Sequence, residues 1–373
     1  MAGSPTLLLG CFFPRSIELE GVGTFLHGLA EGFRDCGCQV TLLRPAGEYA
    51  PIDGVASHTY AGRGIMGLWG YRAALARLTA GLDAAFLVEN NPNFSFTHDW
   101  SRAARTFCYF LTPYQPAQSA GRMGGRQGVL HALAKSPFWG RLQKWGGRRV
   151  IVPTNYQAEQ LRPFGPRQLE VLGGSSLSAR LLIADRAAAR AKLGWDAAPV
   201  VGYLGHFSPA KGVDQLLLAF EQAPAPAVLA LAHSGKGRIG AEARAAADRL
   251  RQAGRLRELG VVDALTFLAA CDVVALPYPT SSIFHPPQVM LESFAAGTAV
   301  ITTDVGGLAE IHQAGQTGLL IPPRDVPALT RALAELLQSE LATDHAMGQA
   351  ARRHFEQRLC REVFIRQLVR LLA

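Results

Sequence analysis

The chain has 373 residues, 49% of them apolar and 18% charged, with a formal net charge of +8. That length is about twice one ordinary domain, and the apolar share suffices for two buried cores. The composition excludes a disordered or fibrous chain, and no apolar run approaches the ~20 residues that span a bilayer.

The chain opens on an apolar strand, Thr6–Phe13, and Met1–Gly10 has no basic leader, so no signal peptide is expected. A polar loop bearing Gly21 and Gly23 follows. Phe25, Leu26, Leu29, Ala30 and Phe33 then recur at helical spacing, with Gly37 as the stop and Gln39–Leu43 as a second strand. Strand, helix and strand in this order form a βαβ unit, which implies a parallel sheet. The pattern continues as a helix over Tyr71–Leu82 and strands over Ala84–Val88, Thr106–Leu111 and Val150–Pro153. Gly62-x-Gly64-x-x-Gly67 lacks the strand, helix and acidic residue that a dinucleotide fingerprint requires, and reads as chance.

Leu172–Ser178 interrupts the pattern with glycines and serines, and the alternation then restarts. Strands are expected at Val200–Leu204, Ala227–Ala232, Asp272–Leu276 and Val300–Thr303. Helices are expected at Gly212–Gln222, Ala241–Ala253, Gln288–Ala296, Ala328–Leu336 and Ala346–Leu372. The restart predicts two doubly wound α/β domains facing across a cleft, where ligands meet the carboxyl ends of the strands and helix N-termini. The expected division is 1–174, 175–352, and a helix over 353–373 that packs back on the N-terminal domain.

The six cysteines are scattered with no CxxC pair. Cys11, Cys108 and Cys271 lie in or beside apolar runs and read as reduced core thiols, which fits a reducing cytoplasm. Between Asp99 and Glu159 there are nine Lys and Arg and no acid, while the remainder of the chain holds 28 basic and 29 acidic residues. Within 126–149, Val129, Leu130, Leu133, Phe138, Leu142 and Trp145 alternate with Arg126, Lys135, Arg141, Lys144, Arg148 and Arg149. One reading is attachment to an anionic membrane surface, peripherally at its inner face; the other is a helix packed on its own domain with a solvated basic side. No nucleic-acid-binding module accompanies the charge, so no nucleic-acid partner is expected.

Two stretches carry a resemblance. One is Leu291–Ile311 (Leu-Glu-Ser-Phe-Ala-Ala-Gly-Thr-Ala-Val-Ile-Thr-Thr-Asp-Val-Gly-Gly-Leu-Ala-Glu-Ile), continued by Thr317–Pro323. The other is Gly205–Gly212 (Gly-His-Phe-Ser-Pro-Ala-Lys-Gly), with Ala269–Pro277 in support. Together with the Gly21–Gly23 loop they resemble the retaining GT-B glycosyltransferases of family 4. The resemblance implies transfer of a sugar from a UDP- or GDP-linked donor to a glycan, lipid-linked or small-molecule acceptor, with no cofactor and no bound metal. It implies that Lys211 meets the leaving diphosphate, whose charge grows as the sugar–phosphate bond breaks. It implies that Glu292 accepts from ribose hydroxyls, that Gly306 and Gly307 let backbone approach the donor, and that Gly205, Gly21 and Gly23 belong to the donor-binding set. For Glu292 the alternative is a helix-dipole role; for the glycines, ordinary turns.

The chain departs from the family pattern at three places. Phe284 stands where a first glutamate is usual, eight positions before Glu292, and the adjacent His285 is the candidate to contact the sugar or diphosphate. His206 replaces the loop arginine, and histidine is cationic for only part of the population near neutral pH. No histidine follows the strand Thr106–Leu111, where Thr112 offers a hydroxyl instead and is taken with Lys211 and His206 as catalytic. These departures keep other readings open: an inactive sugar-nucleotide-binding partner subunit, or another GT-B enzyme such as a sugar-nucleotide epimerase.

Overall fold

The computed structural model describes residues 4–12, 21–47, 49–61, 64–89, 101–111, 149–166, 168–181, 185–224, 226–233, 235, 237–280, 286–342 and 345–372. The chain forms two compact units, 1–178 with 360–373, and 179–359.

In the first unit the strands are β1 (Thr6–Cys11), β2 (Gln39–Pro45), β3 (Ala56–Tyr60), β4 (Ala84–Glu89), β5 (Arg105–Phe110), β6 (Arg149–Val152) and β7 (Gln168–Val171). They form one parallel sheet in the order β3-β2-β1-β4-β5-β6-β7, with Leu7 beside both Val40 and Ala84. Strands of such a sheet are covered on both faces, so their apolar runs are continuous. Leu7 and Leu9 pack with Phe25, Leu29 and Phe33 of helix α1 (Gly21–Asp35), while Leu8 packs with Tyr71 and Leu75 of α2 (Gly64–Leu78). Gly37 ends the α1 segment at φ 84°. The second helix begins at Gly64, ahead of the expected Tyr71, and stops at Leu78, short of a turn with Gly81 at φ 83°. After β6, α3 (Asn155–Leu161) starts where the Thr154 hydroxyl accepts from Gln157 N.

In the second unit β8 (Val200–Leu204), β9 (Val228–Ala232), β10 (Leu256–Leu259), β11 (Val273–Leu276), β12 (Ala299–Thr303) and β13 (Gly318–Ile321) form another parallel sheet, ordered β10-β9-β8-β11-β12-β13. Its helices are α4 (Arg186–Lys192), α5 (Val213–Glu221), α6 (Ala241–Gln252), α7 (Ala264–Ala270), α8 (Gln288–Ala295), α9 (Val326–Ala342) and α10 (Ala346–His354). Strand order reverses between β8 and β11, the topological switch point at whose carboxyl side ligands of such sheets bind.

The expected single helix over Ala346–Leu372 is broken. A π-helical turn, Phe355–Leu359, separates α10 from α11 (Arg361–Leu372), and the wider turn re-aims the buried face. From Cys360 the chain belongs to the first unit, where a Cβ on Gly32 of α1 would lie 2.6 Å from Ile365 of α11. Arg361 pairs with Glu31, and its amide donates to Leu177 O at 2.9 Å. The first crossing falls at Ser178, because Ser175, Ser176 and Ser178 are buried in the first unit and Ser178 is bonded to Glu362.

Candidate functional site

The switch point of the second unit is built by two loops. After β8 the chain turns at Gly205 (φ 154°), whose amide donates to Ala232 O at 3.0 Å, and the Tyr203 hydroxyl donates to His206 O at 2.8 Å. Phe207 stacks on His233 with ring centroids 4.1 Å apart, and Arg238 N donates to Phe207 O at 3.1 Å. A 3-10 turn, Pro209–Lys211, then begins on Ser208, whose hydroxyl accepts from Ala210 N at 3.2 Å. Gly212 closes it at φ 73° beneath Pro277, where a Cβ would overlap the Pro277 carbonyl. The loop after β8 is thereby pressed onto the loop after β11.

This contact brings Lys211 to Tyr278. The Lys211 Nζ lies 5.3 Å from the centroid of the Tyr278 ring, and Tyr278 is buried. Burial lowers the Lys211 pKa, and no carboxylate among the described residues lies within ion-pair distance of its Nζ. A desolvated cation set against an aromatic face is chemically suited to meet an anion. Tyr278 is itself fixed: its amide donates to Leu276 O at 2.9 Å and its carbonyl accepts from the Thr303 hydroxyl at 2.5 Å.

Glu292 sits in the second turn of α8, which starts after Pro287. Burial pushes its carboxyl up to about 7, countered by a hydrogen bond to Gln288 and reinforced by Asp263. Its charge also raises the hydroxyl of Tyr278, after the larger effect of burial, so the two groups share one environment. Beyond β12, Gly306 (φ 61°) and Gly307 (φ 85°) take the backbone through left-handed turns before the 3-10 turn Leu308–Glu310. Glu310 is exposed.

Lys211, Glu292, Gly205, Gly306 and Gly307 therefore stand on segments that follow β8, β11 and β12, and His206 is exposed on the first of these loops. Thr112 and His285, with Phe284 and most of 126–149, lie outside the described residues. Gly21 and Gly23 correct the expectation of a loop: both lie in the first turn of α1, whose amides have no partner four residues back. Tyr278 was missed, although it directly follows the strand segment Ala269–Pro277. His233 was missed too; its signal is a histidine ending the buried run Val228–Ala232. It lines a cavity of about 450 Å³ with Gly235, Glu258, Leu259, Gly260 and Val261, at the carboxyl ends of β9 and β10. Among the described residues, no group of three or more His, Cys, Asp or Glu is placed to hold a metal ion. Nor is any described helix long and apolar enough to cross a membrane.

Residues 198–339 match the family model described as glycosyl transferases group 1. Over 224 residues the chain is 34% identical to D-inositol 3-phosphate glycosyltransferase of Mycolicibacterium vanbaalenii, which covers 53% of this chain and 49% of that protein. The chain thus spans about half the length of the curated relatives it matches. Among solved structures, sucrose-phosphate synthase from Thermosynechococcus elongatus aligns with a TM-score of 0.75 at 20% identity, covering 99% of this chain and 98% of that one. HepE from Anabaena, solved in complex with UDP and glucose, aligns with a TM-score of 0.72 at 18% identity, covering 98% and 99%. The two parallel Rossmann-like sheets are those of the GT-B fold.

Proposed function

We propose that this chain, whose residues 198–339 form a glycosyl transferases group 1 domain, is a retaining glycosyltransferase that takes its sugar from a UDP- or GDP-linked donor. The observation that carries the proposal is the half-buried Lys211, held over the Tyr278 ring at the switch point without a carboxylate partner among the described residues. In this reading the donor diphosphate lies against Lys211, assisted by His206 on the same loop, and no metal is required. As the bond from the anomeric carbon to the diphosphate oxygen breaks, negative charge gathers on the leaving group, and a fixed cation there lowers the barrier. A diphosphate also returns to Lys211 the charge compensation that burial removes.

Glu292 then accepts from the ribose hydroxyls. Gly306 and Gly307 let backbone amides approach the donor, and His285 and Thr112 are proposed, from the sequence pattern alone, for sugar contact and catalysis. The base occupies the cavity beside His233. Support comes from the UDP and glucose held by the Anabaena neighbour and from the transferase names of the relatives. The acceptor is a glycan or a lipid-linked or small molecule, and the cations of 126–149 are proposed to hold the chain on an anionic membrane surface.

A thermal-shift panel of UDP-, GDP- and ADP-sugars, followed by radiolabelled transfer to lipid and glycan extracts, tests the proposal. A bound donor raises the melting temperature by mass action, and label moves to an acceptor or, slowly, to water. Tight donor binding with neither transfer nor hydrolysis would make the chain a binding partner instead of an enzyme. Flotation with anionic liposomes at low salt tests the membrane contact, which absence of retention refutes.

A further inference from the structure

The second unit holds another cavity, of about 590 Å³, at the opposite end of its sheet. Ala269, Ala296 and Gly297 in its wall precede β11 and β12, whereas Lys211 and Tyr278 stand past the carboxyl ends of β8 and β11. Its polar lining is mostly cationic: Arg186 and Arg190 of α4, His345, and Arg352 and Arg353 of α10, with Glu356 as the acid.

The acids nearby are already engaged. Asp272 Oδ1 lies 3.6 Å from Arg186 Nη1, 3.4 Å from Arg190 Nη1 and 3.6 Å from His345 Nε2, so one buried carboxylate serves three side chains. Its Oδ2 also accepts from Val200 N at 2.6 Å. Glu356 pairs with Arg352 at 2.9 Å, and Glu340 accepts from the amides of Met347 and Gly348 at 2.9 and 3.0 Å. Arg353 has no acceptor among the described residues, and Arg190 Nε is buried without one. Several planar guanidinium groups around one hollow suit a multiply charged oxyanion better than a single carboxylate, and the volume leaves room for an organic moiety.

We propose that this cavity binds a small soluble ligand through a phosphomonoester or diphosphate group, at a site separate from the Lys211 loop. Arg352 and Arg353 supply the outer cations, and Arg186 and Arg190, braced on Asp272, supply the inner ones.

Inorganic pyrophosphate is the probe, titrated calorimetrically into the full chain. In Lys211→Ala protein, binding persists. In the Arg352→Gln/Arg353→Gln variant it weakens by roughly tenfold or more, as expected on losing charge-assisted bonds. Loss of all pyrophosphate binding in Lys211→Ala, or unchanged affinity in the double variant, overturns the proposal. Should the double variant fail to fold, wild-type protein answers the question through phenylglyoxal modification read by peptide mass spectrometry. Pyrophosphate then slows the labelling of Arg352 and Arg353, and equal labelling with and without it overturns the proposal.

Discussion

Lys211 Nζ rests 5.3 Å from the centre of the Tyr278 ring, and this pair joins the loop after β8 to the loop after β11. The contact exists because Gly212 allows the chain to pass directly beneath Pro277. A lysine stem alone is flexible; the aromatic face and the surrounding burial hold its charge in one place.

The ring is therefore a positioning element. Replacing Tyr278 with Leu removes the cation–π contact, worth about 0.5–2 kcal/mol, and should weaken donor binding by roughly 2- to 30-fold. Tyr278→Phe keeps the ring and should bind the donor within about twofold of wild type, since both variants lose the hydroxyl but only one loses the face. Calorimetry on the two variants decides: equal losses would remove the ring from this role.

The close approach at Gly212 has its own test. Gly212→Ala must accept both a positive φ and an overlap with the Pro277 carbonyl. Gly254 offers a control, since it has φ 67° and nothing near the position of a Cβ. Chemical denaturation should show a cost of about 1–2 kcal/mol for Gly254→Ala, from backbone strain alone. The cost at Gly212 should be distinctly larger. Similar losses at both sites would mean that the Pro277 contact is not tight.

Glu292 ties stability to pH. Its folded pKa, about 7, is above the ordinary value of 4.5, so between those values the native state binds more protons than the unfolded chain. Stability contributed at this residue therefore falls as pH rises from about 4.5 to 7, and the penalty is complete above that. Glu292→Gln removes the titration. Its melting temperature, relative to wild type, should climb through that window and level off at higher pH. A difference that does not vary with pH would contradict the burial of this carboxyl.

Much of the fold was legible in the sequence because strands covered on both faces are written as continuous apolar runs, as in Leu7–Leu9 and Val273–Leu276. The edge strands were not. Ala56–Tyr60 and Gln168–Val171 are mostly exposed, and Leu256–Leu259 is partly so; each has one hydrogen-bonded neighbour in its sheet and no apolar pattern to mark it. The break after His354 was hidden for a different reason. The heptapeptide His354–Cys360 has no Pro or Gly to mark a break, so the π turn at Phe355–Leu359 left no local signal in the sequence.

The site divides in the same way. Lys211, Glu292 and the paired glycines belong to contiguous patterns and could be read from them. Tyr278 and the Phe207–His233 stack depend on loops that meet only in the folded sheet. The placement of Gly21 and Gly23 inside a helix was concealed by their low helix propensity, which the buried face of α1 overrides.

The most direct measurement compares wild-type and Lys211→Ala protein by calorimetry, with a UDP- or GDP-sugar and with the corresponding free nucleoside. Loss of a charged hydrogen-bonding partner of the diphosphate, about 1.5–3 kcal/mol, should weaken binding of the sugar nucleotide by roughly 10- to 150-fold. Nucleoside affinity should stay within about twofold, because no phosphate is present to lose its partner. Equal weakening of both ligands, or no weakening of either, would contradict the account.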